Sequence, residues 1–276
     1  MSAFLEEMAA SSRARVHAAS AVRSAASLES AARVAPAPPP LKLHPEGFDL
    51  IAELKLRSPA AGPLAGAGED IAARVSGYAR AGAAAVSVLT EPSRFDGSLG
   101  HLTAAAEVLR PSGVPALRKD FLVDPYQLYE ARIAGAGGVL LILRMLPRTE
   151  LVALLECARL LGLFVLLEAF DADDIALMHE LIEAHRGPNT LLAGINCRDL
   201  ATLEVVPARL IELAPLLPAR VPRVAESGVS SAADARAVAG AGYSLALVGS
   251  ALMRGGDGAA LAAALIGAGR AGCRAG

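Results

Sequence analysis

The sequence predicts a single (β/α)₈ barrel, in which eight parallel strands close into a ring covered by helices, preceded by an N-terminal helical extension. Short apolar segments alternate with helical segments along the chain, a pattern typical of a parallel sheet covered by helices. Eight such units recur at intervals of roughly 24 to 35 residues. The chain has 276 residues, enough for the about 250 that this barrel needs. An open, doubly wound sheet is the alternative that this pattern leaves.

The segment 1–47 differs from the rest and is predicted to form one or two helices and a connector, ahead of a barrel at 48–270. It is rich in alanine and ends in the sequence PAPPPL. Its four prolines prevent helix continuation and favour an extended connector. Four arginines recur at helical spacing and are expected on a solvent-exposed helix face: Arg13, Arg15, Arg23 and Arg33.

The eight strands are expected at the short apolar runs 49–55, 84–90, 114–120, 138–144, 164–170, 191–198, 220–227 and 244–250. Helical apolar spacing lies between them, for example in PYQLYEARIAGA and RTELVALLECARLLG. Glycine stands just before the next strand at Gly82, Gly135, Gly162 and Gly242. Because glycine adopts the left-handed conformation of a helix C-terminus without a Cβ clash, these positions indicate helix ends.

Composition and charge exclude several classes of protein. The chain is 54% hydrophobic but only 4% aromatic, which suits packed helices and buried strands rather than disorder. A net charge of −2 gives no broad attraction to nucleic acid or to an anionic membrane. Apolar runs such as GVLLIL are far shorter than the roughly 20 residues of a membrane span. A secretory signal is also absent, so we expect a cytoplasmic protein. A monomer is the expected form, although the sequence itself does not report the oligomeric state.

Cysteine and histidine residues give no sign of a metal site or a disulfide framework. Cys157, Cys197 and Cys273 are odd in number and lack metal-ligand spacing. Cys197 is expected to pack away from the barrel axis. The five histidines have no catalytic partner pattern and are expected to be non-catalytic: His17, His44, His101, His179 and His185.

Charged side chains lie at the ends of otherwise apolar strands. Glu53 and Lys55 close the first strand two residues apart and so face the same side of the pleat. Later strands close with Lys119, Glu168, Asn196, Arg198 and Glu226. In a closed barrel these ends converge on the face where the active sites of this fold lie.

Buried charges at this face need partners, because each isolated charge would cost several kcal/mol. Ion pairs that merely tie the barrel together are one interpretation. A catalytic pocket is the other, since acids and bases must converge there with perturbed pKa values. Charges on five different strands favour the pocket.

Two glycine-containing turns follow the seventh and eighth strands, ESG at 226–228 and VGS at 248–250. Glycine lets backbone N–H groups approach an anion, and a short helix after the eighth strand would direct its positive end to the same point. Loops at these positions form the usual phosphate site of this fold. The turns therefore favour a phosphorylated small-molecule ligand, with Ser58, Ser227 and Ser250 as further donors.

The motifs that contain these residues resemble the indole-3-glycerol phosphate synthase family. LRKDFLVDPYQ and GINCRDLATLEV are the most specific, and IAELKLRSP, SVLTEPSRFDGSL, AESGVSS and ALVGSALM match as well. They occur in the family's order between about residues 48 and 254. The resemblance implies conversion of 1-(2-carboxyphenylamino)-1-deoxyribulose 5-phosphate to indole-3-glycerol phosphate, with loss of CO₂ and water, in tryptophan biosynthesis. It implies no cofactor and no metal.

The resemblance also implies roles for the charged residues. Lys119 would be the general acid that protonates the substrate carbonyl oxygen as the ring closes. Glu168 would be the general base of the later dehydration. Lys55 is similar to the lysine that contacts the anthranilate carboxylate, and Glu53 would orient the lysines. Three further members complete the catalytic set, Asn196 and Arg198 as positioning residues and Glu226 with a less defined role.

The binding residues implied by the resemblance form two groups. The phosphate group comprises Ser58, Ser227, Gly228, Gly249 and Ser250. The apolar pocket around the aromatic ring comprises Phe95, Phe121, Leu140, Leu200 and Leu203. Departures from the family's pattern include Ala60 and Ala61, where members often carry a polar or basic residue, and an N-terminal segment that matches only by position and length.

Two other functions remain as alternatives. A phosphoribosylanthranilate isomerase or similar phosphosugar isomerase shares the phosphate turns. That isomerase, however, places a cysteine where this first strand ends in Glu-Leu-Lys. A non-catalytic barrel that serves as a binding partner would be indicated by substitution of Lys119 or Glu168, and neither is substituted.

Overall fold

The computed structural model describes residues 2–45, 47–65, 68–185, 187, 190–200, 202–254 and 256–273. Its eight parallel barrel strands are numbered in chain order: β1 Asp49–Leu54, β2 Ala85–Leu89, β3 Ala116–Lys119, β4 Ala136–Ile142, β5 Phe164–Ala169, β6 Leu191–Asn196, β7 Arg223–Glu226 and β8 Leu245–Val248. Each strand pairs with its neighbours in sequence, and β8 pairs with β1. The predicted closed barrel is confirmed, and the open doubly wound sheet is excluded.

Helices alternate with these strands: α1 Ala3–Val22, α2 Ala25–Val34, α3 Ile71–Arg80, α4 Pro92–Phe95, α5 Leu99–Leu109, α6 Pro125–Ile133, α7 Arg148–Leu161, α8 Ala172–Ala184, α9 Ala208–Leu213, α10 Ala232–Gly240, α11 Ser250–Arg254 and α12 Gly258–Cys273. Single 3₁₀ turns lie at Arg110–Ser112, Leu143–Met145 and Ala214–Leu216. Among the residues described, no helix combines the length and apolarity that a membrane crossing requires.

Glycine and proline set several element boundaries. The four glycines predicted at helix ends all have left-handed backbone, with φ of 91°, 88°, 68° and 92° at Gly82, Gly135, Gly162 and Gly242. The strands expected at 114–120 and 220–227 begin later, at Ala116 and Arg223. Prolines at 115 and 222 accept hydrogen bonds through their carbonyls but have no N–H to donate to a strand ladder.

A short hairpin that the sequence did not predict follows β1. Arg57–Ser58 pairs antiparallel with Gly62–Pro63. Two-residue strands carry too few side chains for an alternating pattern, so the sequence gives no periodic signal for them. The hairpin places Ser58 beside the end of β1.

The N-terminal extension consists of α1 and α2, as predicted, and then an extended connector. Ser2 caps α1 and Ser24 caps α2, each accepting a backbone hydrogen bond from the first turn. Arg132 of α6 donates to the carbonyls of Ala35 and Pro36 at 2.9 and 2.7 Å. These bonds tie the connector to the outside of the barrel.

Three of the four N-terminal arginines are exposed, as expected for a solvated helix face, and Arg15 is not. Its guanidinium contacts the buried carboxylate of Asp120 at 2.8 Å, and the Arg15 side chain is 27% exposed. The prediction of a uniformly solvated face was therefore wrong at Arg15. Helical spacing alone does not show which arginine meets a buried partner distant in sequence.

The packing of α12 against the start of β1 gives a test of the fold. A methyl group at Gly269 would overlap the ring of Phe48, whereas none of the described atoms lies within 4 Å of one at Gly267. We expect Gly269→Ala to destabilise the protein by about 1–3 kcal/mol through overpacking. The matched control in the same helix, Gly267→Ala, should stabilise it by up to about 1 kcal/mol. Urea denaturation of both variants measures the difference, and equal effects would contradict this packing.

Candidate active site

A cavity of about 500 Å³ lies at the carboxyl ends of the barrel strands. Every strand contributes a residue to its lining, in chain order Glu53, Leu89, Lys119, Ile142, Glu168, Asn196, Glu226 and Val248. The remaining walls come from the loops after the strands and from α1. Side chains that are far apart in sequence therefore meet in one space, as the closed barrel requires.

Two ion pairs lie in the cavity. The Lys119 ammonium lies 3.4 Å from Glu168 Oε2, and the Lys55 ammonium lies 2.7 Å from Glu53 Oε1. Burial by itself lowers the pKa of Lys119, but the negative charges of Glu168 and Glu53 raise it above its ordinary value. Lys119 therefore carries a proton at neutral pH.

Asn196 connects the Glu168 carboxylate to the loop after β6. Its Nδ2 donates to Glu168 Oε2 at 3.2 Å, the oxygen that faces Lys119. Its Oδ1 accepts from the Arg198 backbone N–H at 3.0 Å and from the Ser227 hydroxyl at 2.9 Å. Asn196 is thus held from both ends of its amide, which fixes how its N–H₂ group faces the carboxylate.

Arg198 is held by its own loop and also faces the cavity. Its guanidinium donates to the Leu203 carbonyl at 2.7 Å, and Leu203 has left-handed backbone with φ of 63°. This conformation is uncommon for leucine. Arg198 also lines the cavity, where a guanidinium can donate further N–H groups to an anionic ligand.

Glu226 is buried without a hydrogen-bond partner on either carboxylate oxygen among the described groups. Burial, followed by the nearby Glu168 charge, raises its pKa well above the ordinary value. A protonated carboxyl group removes the cost of burying a third negative charge beside Glu168 and Glu53.

Two glycines, one on β6 and one directly after β8, make room for the carboxylates. A methyl group at Gly194 of β6 would overlap the Glu226 carboxylate, and one at Gly249 would overlap that of Glu53. Any larger side chain at either position would displace a carboxylate. Gly249, predicted as a phosphate-binding residue, therefore also has a steric role.

The predicted phosphate residues surround one end of the cavity. Ser58, Ser227, Gly228, Gly249 and Ser250 all belong to its lining. Ser227 and Gly228 have left-handed backbone, with φ of 66° and 74°, and the predicted short helix α11 begins at Ser250. Successive residues with such turn conformations can direct their N–H groups toward an anion. Ala60, Ala61 and Arg254 also line the cavity.

The apolar wall contains three of the five residues predicted for it, namely Phe95, Phe121 and Leu200. The ring centroids of Phe95 and Phe121 are 6.1 Å apart. The wall also contains Phe4 of α1, whose ring packs edge-on against Phe121 at 5.8 Å. Phe4 was not predicted, because nothing in its local sequence relates it to the barrel.

The other two predicted residues, Leu140 and Leu203, are not among the described residues that line the cavity. Leu140 lies on β4 two residues before Ile142, so both face the same side of the pleat and Ile142 is nearer the open end. Leu203 contributes its carbonyl to Arg198 instead of its side chain to the wall.

Histidine and cysteine play no part in the lining. None of the five histidines is among the lining residues, and no metal-binding group of histidine, cysteine and carboxylate residues occurs in the part of the chain that the structure describes. Cys197 is fully buried, with its sulfur against Gly228. Burial raises the pKa of its thiol to about 11, which suits a packing residue.

Comparison with known proteins gives consistent results over most of the chain. A family model described as indole-3-glycerol phosphate synthase matches residues 5–265. The indole-3-glycerol phosphate synthase of Mycobacterium avium (strain 104) is 42% identical over 263 residues, 93% of this chain and 91% of the relative. That of Kineococcus radiotolerans is 44% identical over 230 residues, 83% and 80% of the two chains.

Solved structures with a similar fold are more distant in sequence. The 3-hexulose-6-phosphate synthase of Salmonella typhimurium has a TM-score of 0.60 at 14% identity, covering 80% of this chain and 98% of its own. The thiamine phosphate pyrophosphorylase of Pyrococcus furiosus has a TM-score of 0.58 at 14% identity, covering 82% and 96%. At such identities these structures support the barrel fold alone.

The burial of Glu226 predicts a pH dependence of stability. The native state keeps a proton on Glu226 above the ordinary carboxyl pKa of 4.5, whereas the unfolded state releases it. The free energy of unfolding should therefore fall as the pH rises above that value, by up to about 1.4 kcal/mol per pH unit from this group. In Glu226→Gln this contribution should be absent, so the wild-type and variant curves should converge or cross with rising pH.

Urea denaturation between about pH 5 and pH 8 measures both curves. Glu107→Gln, which replaces an exposed carboxylate on α5, is the control and should follow the wild-type slope. Parallel curves for wild type and Glu226→Gln would show that Glu226 is ionised in the native state.

Proposed function

The chain belongs to the indole-3-glycerol phosphate synthase family, and from that premise we propose that its cavity closes the indole ring through the residues described above. The reaction converts 1-(2-carboxyphenylamino)-1-deoxyribulose 5-phosphate to indole-3-glycerol phosphate with release of CO₂ and water. The observation that carries the proposed site is the pairing of Lys119 with Glu168 inside one cavity that also holds the phosphate turns.

The substrate has three chemical parts, and the cavity offers a suitable surface to each. Its phosphate can be held by the turns at Ser227–Gly228 and Gly249–Ser250. Its aromatic ring can lie against Phe95 and the other apolar residues. Its carboxylate needs a cation, and Lys55 and Arg198 both face the cavity. Phosphate contacts at one end and ring contacts at the other would fix the reacting carbon atoms between them.

Lys119 is proposed as the acid of the ring-closing step. A new bond forms between the ring carbon that carries the carboxylate and the carbonyl carbon of the sugar chain, and the carbonyl oxygen takes up a proton. Lys119 can supply that proton because the surrounding carboxylates keep it protonated. The charge that develops on the oxygen is stabilised by a cation in a site shielded from water.

Loss of CO₂ then restores the aromatic ring, and loss of the hydroxyl group as water completes the indole. Glu168 is proposed as the base that accepts the proton released in the dehydration. Its contacts with Lys119 and Asn196 place both proton-transfer groups at the same point. Glu53, which pairs with Lys55, would orient that lysine toward the carboxylate.

The alternative functions lack support from the cavity. The first strand ends in the Glu53–Lys55 ion pair, and no cysteine occurs among the described lining residues. A non-catalytic barrel would have no need to bury Lys119 among carboxylates, since apolar residues would fill the space as stably.

An assay of the purified protein tests the proposal directly. We expect it to form the fluorescent indole product from the carboxyphenylamino substrate without added metal. Phosphoribosylanthranilate is the comparison substrate and should not be isomerised. Isomerisation without ring closure would replace the proposed function with the isomerase alternative.

Lys119 gives the first prediction from this mechanism. Lys119→Ala should lower kcat by about 100-fold or more, because a positioned acid typically contributes 10²–10⁴. The chain contains two other lysines, Lys42 and Lys55, and Lys42 is exposed on the connector. Lys42→Ala is therefore the control and should keep wild-type kcat. Circular dichroism establishes that both variants fold, and a folded Lys119→Ala with near-normal turnover would remove its assigned role.

Arg198 gives a different kinetic signature. Since it is assigned to holding the substrate and not to proton transfer, Arg198→Ala should mainly raise KM, by about tenfold or more. Arg209 is a suitable control because it lies near the same loop, 3.9 Å from Asp199, outside the described cavity lining. Steady-state kinetics separates the two parameters, and unchanged KM with collapsed kcat in Arg198→Ala would contradict the assignment.

A further inference from the structure

Asp120, the residue that follows Lys119, is held by an unusual number of donors. Its side chain is fully buried. It accepts hydrogen bonds from both terminal nitrogens of Arg15 at 2.8 and 3.0 Å, the Thr90 hydroxyl at 2.7 Å, Arg118 Nη2 at 3.1 Å and the Phe121 backbone N–H at 2.8 Å. Although burial opposes ionisation, the charges of Arg118 and Arg15 lower the pKa of Asp120 to about 2.

The donor Arg15 comes from α1, 105 residues away along the chain. Its guanidinium grips the carboxylate through two hydrogen bonds, a geometry that fixes orientation as well as distance. One turn earlier, the Ser12 hydroxyl donates to the Phe121 carbonyl at 2.5 Å and accepts from Gln127 Nε2 at 2.8 Å. Two consecutive turns of α1 are therefore fastened to the segment that follows β3.

The other end of α1 forms part of the cavity wall through Phe4. Phe4 and Arg15 are eleven residues apart in one continuous helix, a separation of about 16 Å. Phe4 packs on Phe121, the residue next to Asp120. The Arg15–Asp120 pair and the Phe4–Phe121 contact thus both join α1 to the segment after β3. The first contact lies beside Lys119, and the second lies at the aromatic wall.

We propose that Arg15 and Asp120 are positioning residues for ring closure. Asp120 fixes the backbone between Lys119 and Phe121, and Arg15 fixes the helix that brings Phe4 against the substrate ring. The inference rests on the proposed function, because it is the aromatic substrate that the wall formed by Phe4 and Phe121 would hold. Neither Arg15 nor Asp120 takes part in proton transfer.

The chain contains a matched control for Arg15. Arg13 lies on the same helix and also binds a carboxylate of the barrel, Glu150 at 3.2 Å, but both side chains are about half exposed. Exposed pairs of this kind contribute little. Arg15→Ala should raise KM about tenfold, equivalent to about 1.4 kcal/mol, whereas Arg13→Ala should leave KM and kcat within about twofold. Leu5 and Met8 are buried residues of α1 itself and should keep the helix docked in both variants.

A double-variant cycle separates positioning from general stabilisation. If Arg15 acts through Phe4, Arg15→Ala should raise KM in the wild type but add little in a Phe4→Ala background. Arg15→Lys restores the positive charge without the two hydrogen bonds of the guanidinium, so it should recover only part of the affinity for the substrate. Asp120→Asn, which keeps the size of the side chain, should raise KM like Arg15→Ala.

The possible outcomes distinguish failure of the positioning role from failure of the proposed function. A lower melting temperature for Arg15→Ala with unchanged KM, or an additive double variant, would overturn the positioning role and leave a structural one. An inactive wild type would instead overturn the proposed function. Hydrogen exchange of the α1 amides tests the anchorage without any substrate, and protection should fall in Arg15→Ala but not in Arg13→Ala.

Discussion

A half-buried ammonium group beside carboxylates is the interaction on which the open end of the barrel depends. Taking one such charge out of water costs several kcal/mol, and Lys119 recovers this only where opposite charges lie close to it. Glu168 and Glu53 come from β5 and β1, and the negative charge of each raises the pKa of Lys119. Only a closed ring of strands brings the ends of β1 and β5 together with the end of β3, where Lys119 lies. Closure of the barrel is therefore what keeps Lys119 protonated.

The same charges explain why small residues stand among them. Gly194 and Gly249 leave the space that the carboxylates of Glu226 and Glu53 occupy. A proton on Glu226 then keeps the negative charge of the cluster low. With Glu226 neutral, the lining cations Lys55, Lys119, Arg198 and Arg254 exceed the lining carboxylates Glu53, Asp120 and Glu168 by one charge. A substrate with a carboxylate and a phosphate would meet a site of the opposite sign, although the chain as a whole has a net charge of −2.

Much of this arrangement could be predicted from the sequence because strand periodicity is local. A polar residue at the end of an apolar run identifies both its strand and its face, which is how Glu53, Lys119 and Glu168 were found. The rarity of lysine is a further signal that the sequence contains. The chain has only three lysines among its 26 basic residues, and two of them line the cavity. Lysine is the more compact of the two cations, which suits the proton donor proposed for Lys119.

The features of the site that could not be predicted from the sequence depend on contacts between distant segments. The depth of a side chain within the barrel is not encoded by the period of two, so the strand pattern does not show that Ile142, and not Leu140 on the same face, lines the cavity. The polar pattern of α1 likewise does not show that Arg15 contacts a buried carboxylate. The roles of Phe4 and Arg15 depend on their contacts with Phe121 and Asp120, which lie more than a hundred residues later in the chain. An extension that the local pattern describes as a polar helix is, in the folded chain, part of the wall of the catalytic cavity.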